Sequence, residues 1–194
     1  MDFKKHLVKA WESTLKYIAP LILMTLAMGI VSLFSLGILA PVLFAGYMHS
    51  LLLMLRENRE PKIQDLFSQM SLFFPLLGFG IVVFIALLIG FLLLILPGII
   101  IALGLAFSCL YMLPLMVDKK SGLFDAIKES FSMATTGNVL DHVVTLILFM
   151  GISGIGGSVF IGWLFTQPLA TIFLLSAYEE KISAVPETQP ATEG

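Results

Sequence analysis

Between Ser71 and Val117 the chain carries no Asp, Glu, Lys or Arg, and charge is scarce throughout, at 12% of 194 residues against 58% hydrophobic. A soluble domain carries roughly 25% charged residues, so this chain has about half the usual solvating surface. The mean hydropathy is +1.00. The formal net charge is −2 with no basic stripe, which excludes a nucleic-acid partner. The one cysteine, Cys109, lies in an apolar segment, so no intramolecular disulfide forms and the thiol reads as inert packing. The deep spans hold no Asp, Glu, Lys or Arg, and intramembrane charges usually mark proton relays, so their absence argues against ion-coupled transport.

What is present is apolar length. Three uncharged runs, Tyr17–Leu55, Ser71–Val117 and Val143–Tyr178, contain 39, 47 and 36 residues. As single helices they would measure about 58, 70 and 54 Å, against a hydrocarbon core of about 30 Å. Each run has a breaker near its middle: "SLGILAP" at 35–41, "LPG" at 96–98 and "GISGIGGS" at 151–158. Proline lacks an amide proton, and glycine admits conformations barred to other residues. Each run is therefore expected to cross, turn and return, with Leu96, Pro97 and Gly98 as one of the turns.

The eleven Lys and Arg residues test this arrangement. They fall before the first run, in the two segments between runs and after the last. If each run crosses twice, all lie on one face, and the positive-inside rule makes that face cytoplasmic, with both termini. The basic N-terminus ahead of an apolar run could pass for a signal peptide. The run is too long and lacks a small-residue cleavage site, so it reads as retained.

The segments between runs show helical spacing of apolar residues. Residues 2–18 align Phe3, Leu7, Trp11, Leu15 and Ile18; residues 62–74 align Ile63, Leu66, Phe67, Met70 and Phe74, with Pro61 at the first turn. In 121–135 the stripe is Leu123, Phe124, Ile127, Phe131 and Ala134, with Asp125, Lys128 and Glu129 opposite. Amphipathic helices of this kind lie in the headgroup region, so Leu123, Phe124, Ile127, Lys128 and Phe131 are expected to face lipid.

The expected fold is all-α: a polytopic membrane protein of six transmembrane helices in three hairpins, each preceded by an inner-face amphipathic helix. Residues 1–182 form one membrane domain with units at about 2–56, 61–117 and 121–180. Residues 183–194, polar and proline-containing, are expected to be a disordered cytoplasmic tail.

The stretch "LPGIIIALGLAFSCLYMLPLMVDKKSGLFDAIKESFSMATTGN" resembles the YciC-like family of uncharacterised bacterial inner-membrane proteins. It is also similar to the membrane domain fused to some glycerophosphodiester phosphodiesterases. Leu96, Pro97, Gly98, Ile99, Asp118, Ala126, Ser130 and Gly137 carry the likeness, with "AGYMHSLLLMLRENREPKIQDLF" upstream and Pro168 followed by Tyr178; it spans roughly Gly46–Glu180. The resemblance implies a helical inner-membrane fold and carries over no active-site residue.

Candidate chemistry is sparse. "GISG" at 151–154 matches the Gly-x-Ser-Gly pattern of intramembrane rhomboid proteases, which need a histidine on another helix. His142 precedes Ser153 on the same helix by 11 residues, about 16 Å, so the pattern reads as a glycine-rich turn. His49, Asp141, His142 and Glu179 lie near span ends without metal-ligand spacing, and read as interfacial hydrogen-bonding groups. Asp118 and Asp125 read as membrane-edge and helix-start residues.

Mild polarity within the spans comes from Ser108, Cys109, Thr145, Thr166 and Gln167, with Pro114 and Pro168 freeing carbonyls. These could line a small cavity, or simply bond between helices. The expected function is non-enzymatic: an envelope or lipid-organising protein of the bacterial inner membrane, with no cofactor or metal. Its partners are membrane lipids and a second copy or another membrane protein. The alternatives are a passive or partner-driven permease subunit and, third, a membrane-embedded enzyme.

Overall fold

The computed structural model describes residues 2–93, 95–136, 138–157 and 160–184, and among these every regular element is helical. The helices are α1 (Phe3–Lys16), α2 (Ile18–Phe34), α3 (Ala40–Glu57), α4 (Phe73–Leu93), α5 (Ile95–Cys109), α6 (Met112–Asp118), α7 (Leu123–Thr135), α8 (Val139–Gly157) and α9 (Phe160–Ala184). Three stretches are long and apolar enough to cross a membrane: Ile63–Leu92, Ile95–Asp118 and Val139–Gly156. These helices mark the chain as a membrane protein.

The Asp2 side chain caps α1 by accepting from the Lys5 amide at 3.1 Å. At Tyr17 the chain bends 88° into α2, which separates the amphipathic helix from the apolar one. The break after α2 falls where "SLGILAP" predicts it. Leu36 takes the left-handed conformation, φ 52°, while the Gly37 and Leu36 amides bond back to Ser32 and Leu33. That is a Schellman turn with leucine in the slot glycine usually fills. Pro41 then lies in the first turn of α3, where no amide bond is lost.

The other two breakers are helical where they are described, and Ser158, the last residue of the third, lies outside the described residues. Leu96, Pro97 and Gly98 are helical, near the first described residue of α5; Leu94, between α4 and α5, lies outside the described residues. Pro97 fits there because the first amides of a helix have no intrahelical partner. Gly98 serves a close approach instead of a turn: a Cβ on it would meet the Phe91 ring at 2.5 Å, and one on Gly90 would lie 3.1 Å from the Gly98 Cα. Residues eight apart in one continuous helix are about 12 Å apart, so the chain folds back between them.

Likewise "GISGIGG" is helical to Gly157. A Cβ on Gly156 would meet the Thr166 Oγ at 1.6 Å, so α8 and α9 cross where only glycine fits. Glycine in both places lets neighbouring helices approach closely.

The expected helix over 62–74 is also corrected. It forms two short 3₁₀ turns, Ile63–Phe67 and Met70–Leu72, of whose stripe only Leu66 is buried. The Leu66 carbonyl seats against Gly46 of α3, where a Cβ would come within 2.1 Å, and that seat dictates the path. Ser183 and Ala184, assigned to the tail, belong to α9; residues 185–194 lie outside the described ones.

The core sits where α9, α3 and α6 meet. Phe173, Leu174, Leu175 and Tyr178 of α9 pack with Tyr47, Leu51 and Met54 of α3 and with Leu115 of α6, all buried. α4 is the least buried of the candidate spans, at 6%, and touches the core through Leu76 near its start.

Candidate functional site

The ends of α3, α6 and α9 converge on one guanidinium. Arg56, in the last turn of α3, makes a bidentate pair with Asp118, its second nitrogen lying 2.8 Å from Oδ2, and its Nε donates to Glu179 at 2.8 Å. The Tyr178 hydroxyl donates to Asp118 at 3.1 Å. Bidentate geometry fixes all three helix ends, which a flexible lysine would not do. Beside it, Lys119 pairs with Glu129 of α7 at 2.5 Å, and Lys181 of α9 donates to the Met133 carbonyl at 2.7 Å. A cation suits the C-terminal end of α7. Burial beneath that helix draws the Lys181 ammonium below its ordinary range, with Asp141 opposing.

Similar ties join the other segment ends. Tyr17, at the α1–α2 bend, donates to the Asn58 carbonyl at 3.0 Å. Ser50 donates to Asp65 at 2.7 Å, and Arg59 pairs with the same carboxylate. His49 reaches Ser68 at 3.3 Å.

α1 is held down by a Ser–His–Glu arrangement. His6 Nε2 lies 2.5 Å from the Glu180 carboxylate and Nδ1 lies 2.7 Å from Ser176 Oγ. A carboxylate accepts, so Nε2 donates to Glu180, and Nδ1 shares the remaining hydrogen bond with the serine hydroxyl. The order of groups is that of a hydrolytic triad. Ser176, however, is buried in the middle of α9, where backbone amides bond within the helix and none can serve an oxyanion. The arrangement therefore acts as a clamp on α1.

A second buried histidine repairs the α5–α6 break. Pro114 stands in the first turn of α6 and cannot donate, so the helix is interrupted at Leu110–Tyr111. This frees the Phe107 carbonyl and the Tyr111 amide. His142 Nε2 donates to that carbonyl at 2.8 Å, and Ser130 Oγ accepts from that amide at 3.1 Å. α8 and α7 each satisfy one orphaned backbone group, as buried polar groups require.

The expected intramembrane polar cluster does not assemble. Thr145 bonds to the Asp141 carbonyl, whereas Thr166 abuts Gly156, 11 residues along α8 and about 16 Å away. Ser108 and Cys109 are half-buried on α5, and the Gln167 carbonyl is taken by Thr171. His49, His142 and Glu179 each take a different partner. Among the described residues no group of three or more His, Cys, Asp or Glu could hold a metal.

On α7, Phe124 (75% exposed), Lys128 and Phe131 share an exposed face. Leu123 and Ile127, expected beside them, instead pack against the core. The buried face is Ala126, Ser130, Met133 and Ala134. α1 repeats the pattern: Val8, Trp11 and Leu15 are exposed, while His6, Ala10 and Thr14 are buried. His6 and Ser176 escape sequence reading because 170 residues separate them; the only local signal is that His6 and Thr14 fall on the face of α1 that the protein buries. No family model, no curated protein and no solved structure matches this chain.

Proposed function

We propose that this chain is a non-enzymatic protein of a bacterial inner membrane that organises lipid at the cytoplasmic face. Six spans cross in three hairpins (α2 with α3, α4 with α5–α6, α8 with α9), and both termini are cytoplasmic. The observation that carries this topology is Arg56 in contact with Asp118 and Glu179. Had the middle run crossed once, Arg56 before it and Asp118 after it would stand about 30 Å apart, on opposite faces. Tyr17 with Asn58 and Lys181 with Met133 support the same reading for the first and last runs.

The lipid role is favoured by the exposed faces of α1 and α7. In each, large apolar side chains are exposed and lysines share the exposed surface, as in helices seated at the headgroup boundary. A second copy or another membrane protein is the expected protein partner.

The test has two arms, both in a Cys109→Ser background. Cysteine at Gly37, Ile95 or Gly154 labels from the periplasmic side, and cysteine at Asn58 or Ser121 does not; external labelling of Asn58 refutes the topology. In the second arm Phe124→Asp with Phe131→Asp raises amide exchange across α7 and lowers the lipid retained on purification. Unchanged exchange and unchanged lipid refute the headgroup seat of α7.

A further inference from the structure

Beside the first two turns of α2 lies an open groove of about 730 Å³. Its wall is apolar, built by Ala19, Ile22, Leu23 and Leu26 over about 10 Å of helix. Its rim is the segment after α3, which brings Glu60 and Lys62 to the same opening. Both side chains are exposed, and among the described residues neither has an ion-pair partner, although their neighbour Arg59 is paired to Asp65. The segment is held in place from behind, by Leu66 seated on Gly46 and by Ser50 on Asp65. The two free charges are therefore presented by an anchored loop.

An apolar trough ending in one free cation and one free anion is complementary to a lipid that carries both signs. We propose that this groove binds a phospholipid whose headgroup holds a primary ammonium beside its phosphate. The acyl chain lies along α2, Lys62 meets the phosphate, and Glu60 accepts from the ammonium. An anionic headgroup without an amine would leave Glu60 against negative charge. A quaternary ammonium offers Glu60 no N–H to accept. The proposal rests on the reading that this end of α2 lies at the cytoplasmic headgroup layer.

The full-length protein is reconstituted in vesicles of equimolar phosphatidylethanolamine and phosphatidylglycerol with matched acyl chains. It is then extracted in mild detergent, and the retained lipid is identified by mass spectrometry. The wild type is expected to retain phosphatidylethanolamine about fivefold over phosphatidylglycerol, the selectivity that one headgroup charge confers. Glu60→Lys inverts that preference. Leu23→Trp, which fills the groove from a half-exposed position, abolishes it at an unchanged thermal midpoint; if that variant fails to fold, Glu60→Lys, on an exposed loop, decides alone. Retained lipid of bulk composition, unaltered by Glu60→Lys, overturns the groove and leaves the lipid-organising reading standing. No retained lipid at all overturns both.

Discussion

α4 and α9 are both long and apolar, yet they do opposite jobs. The span containing α4 has a mean hydropathy of 2.9 and is 6% buried, with Phe74, Phe84 and Leu92 pointing outward. α9 carries Thr166, Gln167, Pro168, Thr171 and Ser176, and nearly every residue from Ala170 to Tyr178 is buried. In water the more apolar helix would be the inner one. In hydrocarbon it gains nothing by hiding, since lipid tails are as apolar as leucine. Interior positions go to helices that offer something lipid cannot: hydroxyls, small residues and ion-pairing ends.

That contrast can be broken most directly at a matched pair of phenylalanines. Phe173→Ala in α9 should lower stability by about 3 kcal/mol through the cavity it leaves. Phe84→Ala on α4, where lipid refills the space, should change it by less than about 0.5 kcal/mol. Equal losses in thermal unfolding of the two reconstituted variants would end the distinction.

A glycine pair sharpens it. Gly46→Ala pushes a Cβ against the Leu66 carbonyl, a backbone atom held by the 3₁₀ turn, and should cost about 2 kcal/mol. Gly78→Ala on α4 meets open space and should be neutral or stabilising by up to about 1 kcal/mol. Denaturant titration of both reports the difference; a destabilised Gly78→Ala would mean that α4 has a protein neighbour at Gly78 as well as at Gly90.

At the core's polar end, Arg56→Ala removes the tie between α3, α6 and α9. Its side chain is 40% exposed, so screening reduces the effect to about 1–2 kcal/mol. Arg56→Lys should recover only part, because the bidentate geometry is lost. Crosslinking between cysteines placed at Glu57 and Lys119 should fall in Arg56→Ala and persist in the wild type.

The smallest effect is expected from Lys119→Ala. Its pair with Glu129 is exposed on both sides, and the change should stay within about 0.5 kcal/mol. A larger loss would show that α7 depends on this contact more than on Ser130 and Lys181.

Much of this arrangement is legible before any coordinates. Run length against bilayer thickness demands a break in each apolar run, and the first break falls at Ser35–Pro41 as written. Periodicity marks α1 and α7. The helical state of Leu96–Gly98 and of Gly151–Gly157 was illegible because Pro97 and glycines such as Gly156 are compatible with two uses. A helix start tolerates proline, and a helix crossing requires glycine, as much as a turn does. The Leu123 and Ile127 assignments failed for a similar reason. A stripe of apolar residues identifies a face, but lipid and protein are equally acceptable neighbours for it.

The sequence by itself determined a helical membrane chain and the scarcity of charge within its apolar runs, because both follow from summed hydropathy and the cost of unsatisfied backbone in hydrocarbon. Only the tertiary structure decided which polar residues meet: His6 with Ser176 and Glu180, Arg56 with Asp118 and Glu179, His142 with the Phe107 carbonyl. Those partners lie 35 to 174 residues apart in the chain. Their pairing depends on where two glycines let helices cross and where Pro114 frees a carbonyl. Such contacts are set by the shape of the packed chain, which local propensity does not encode.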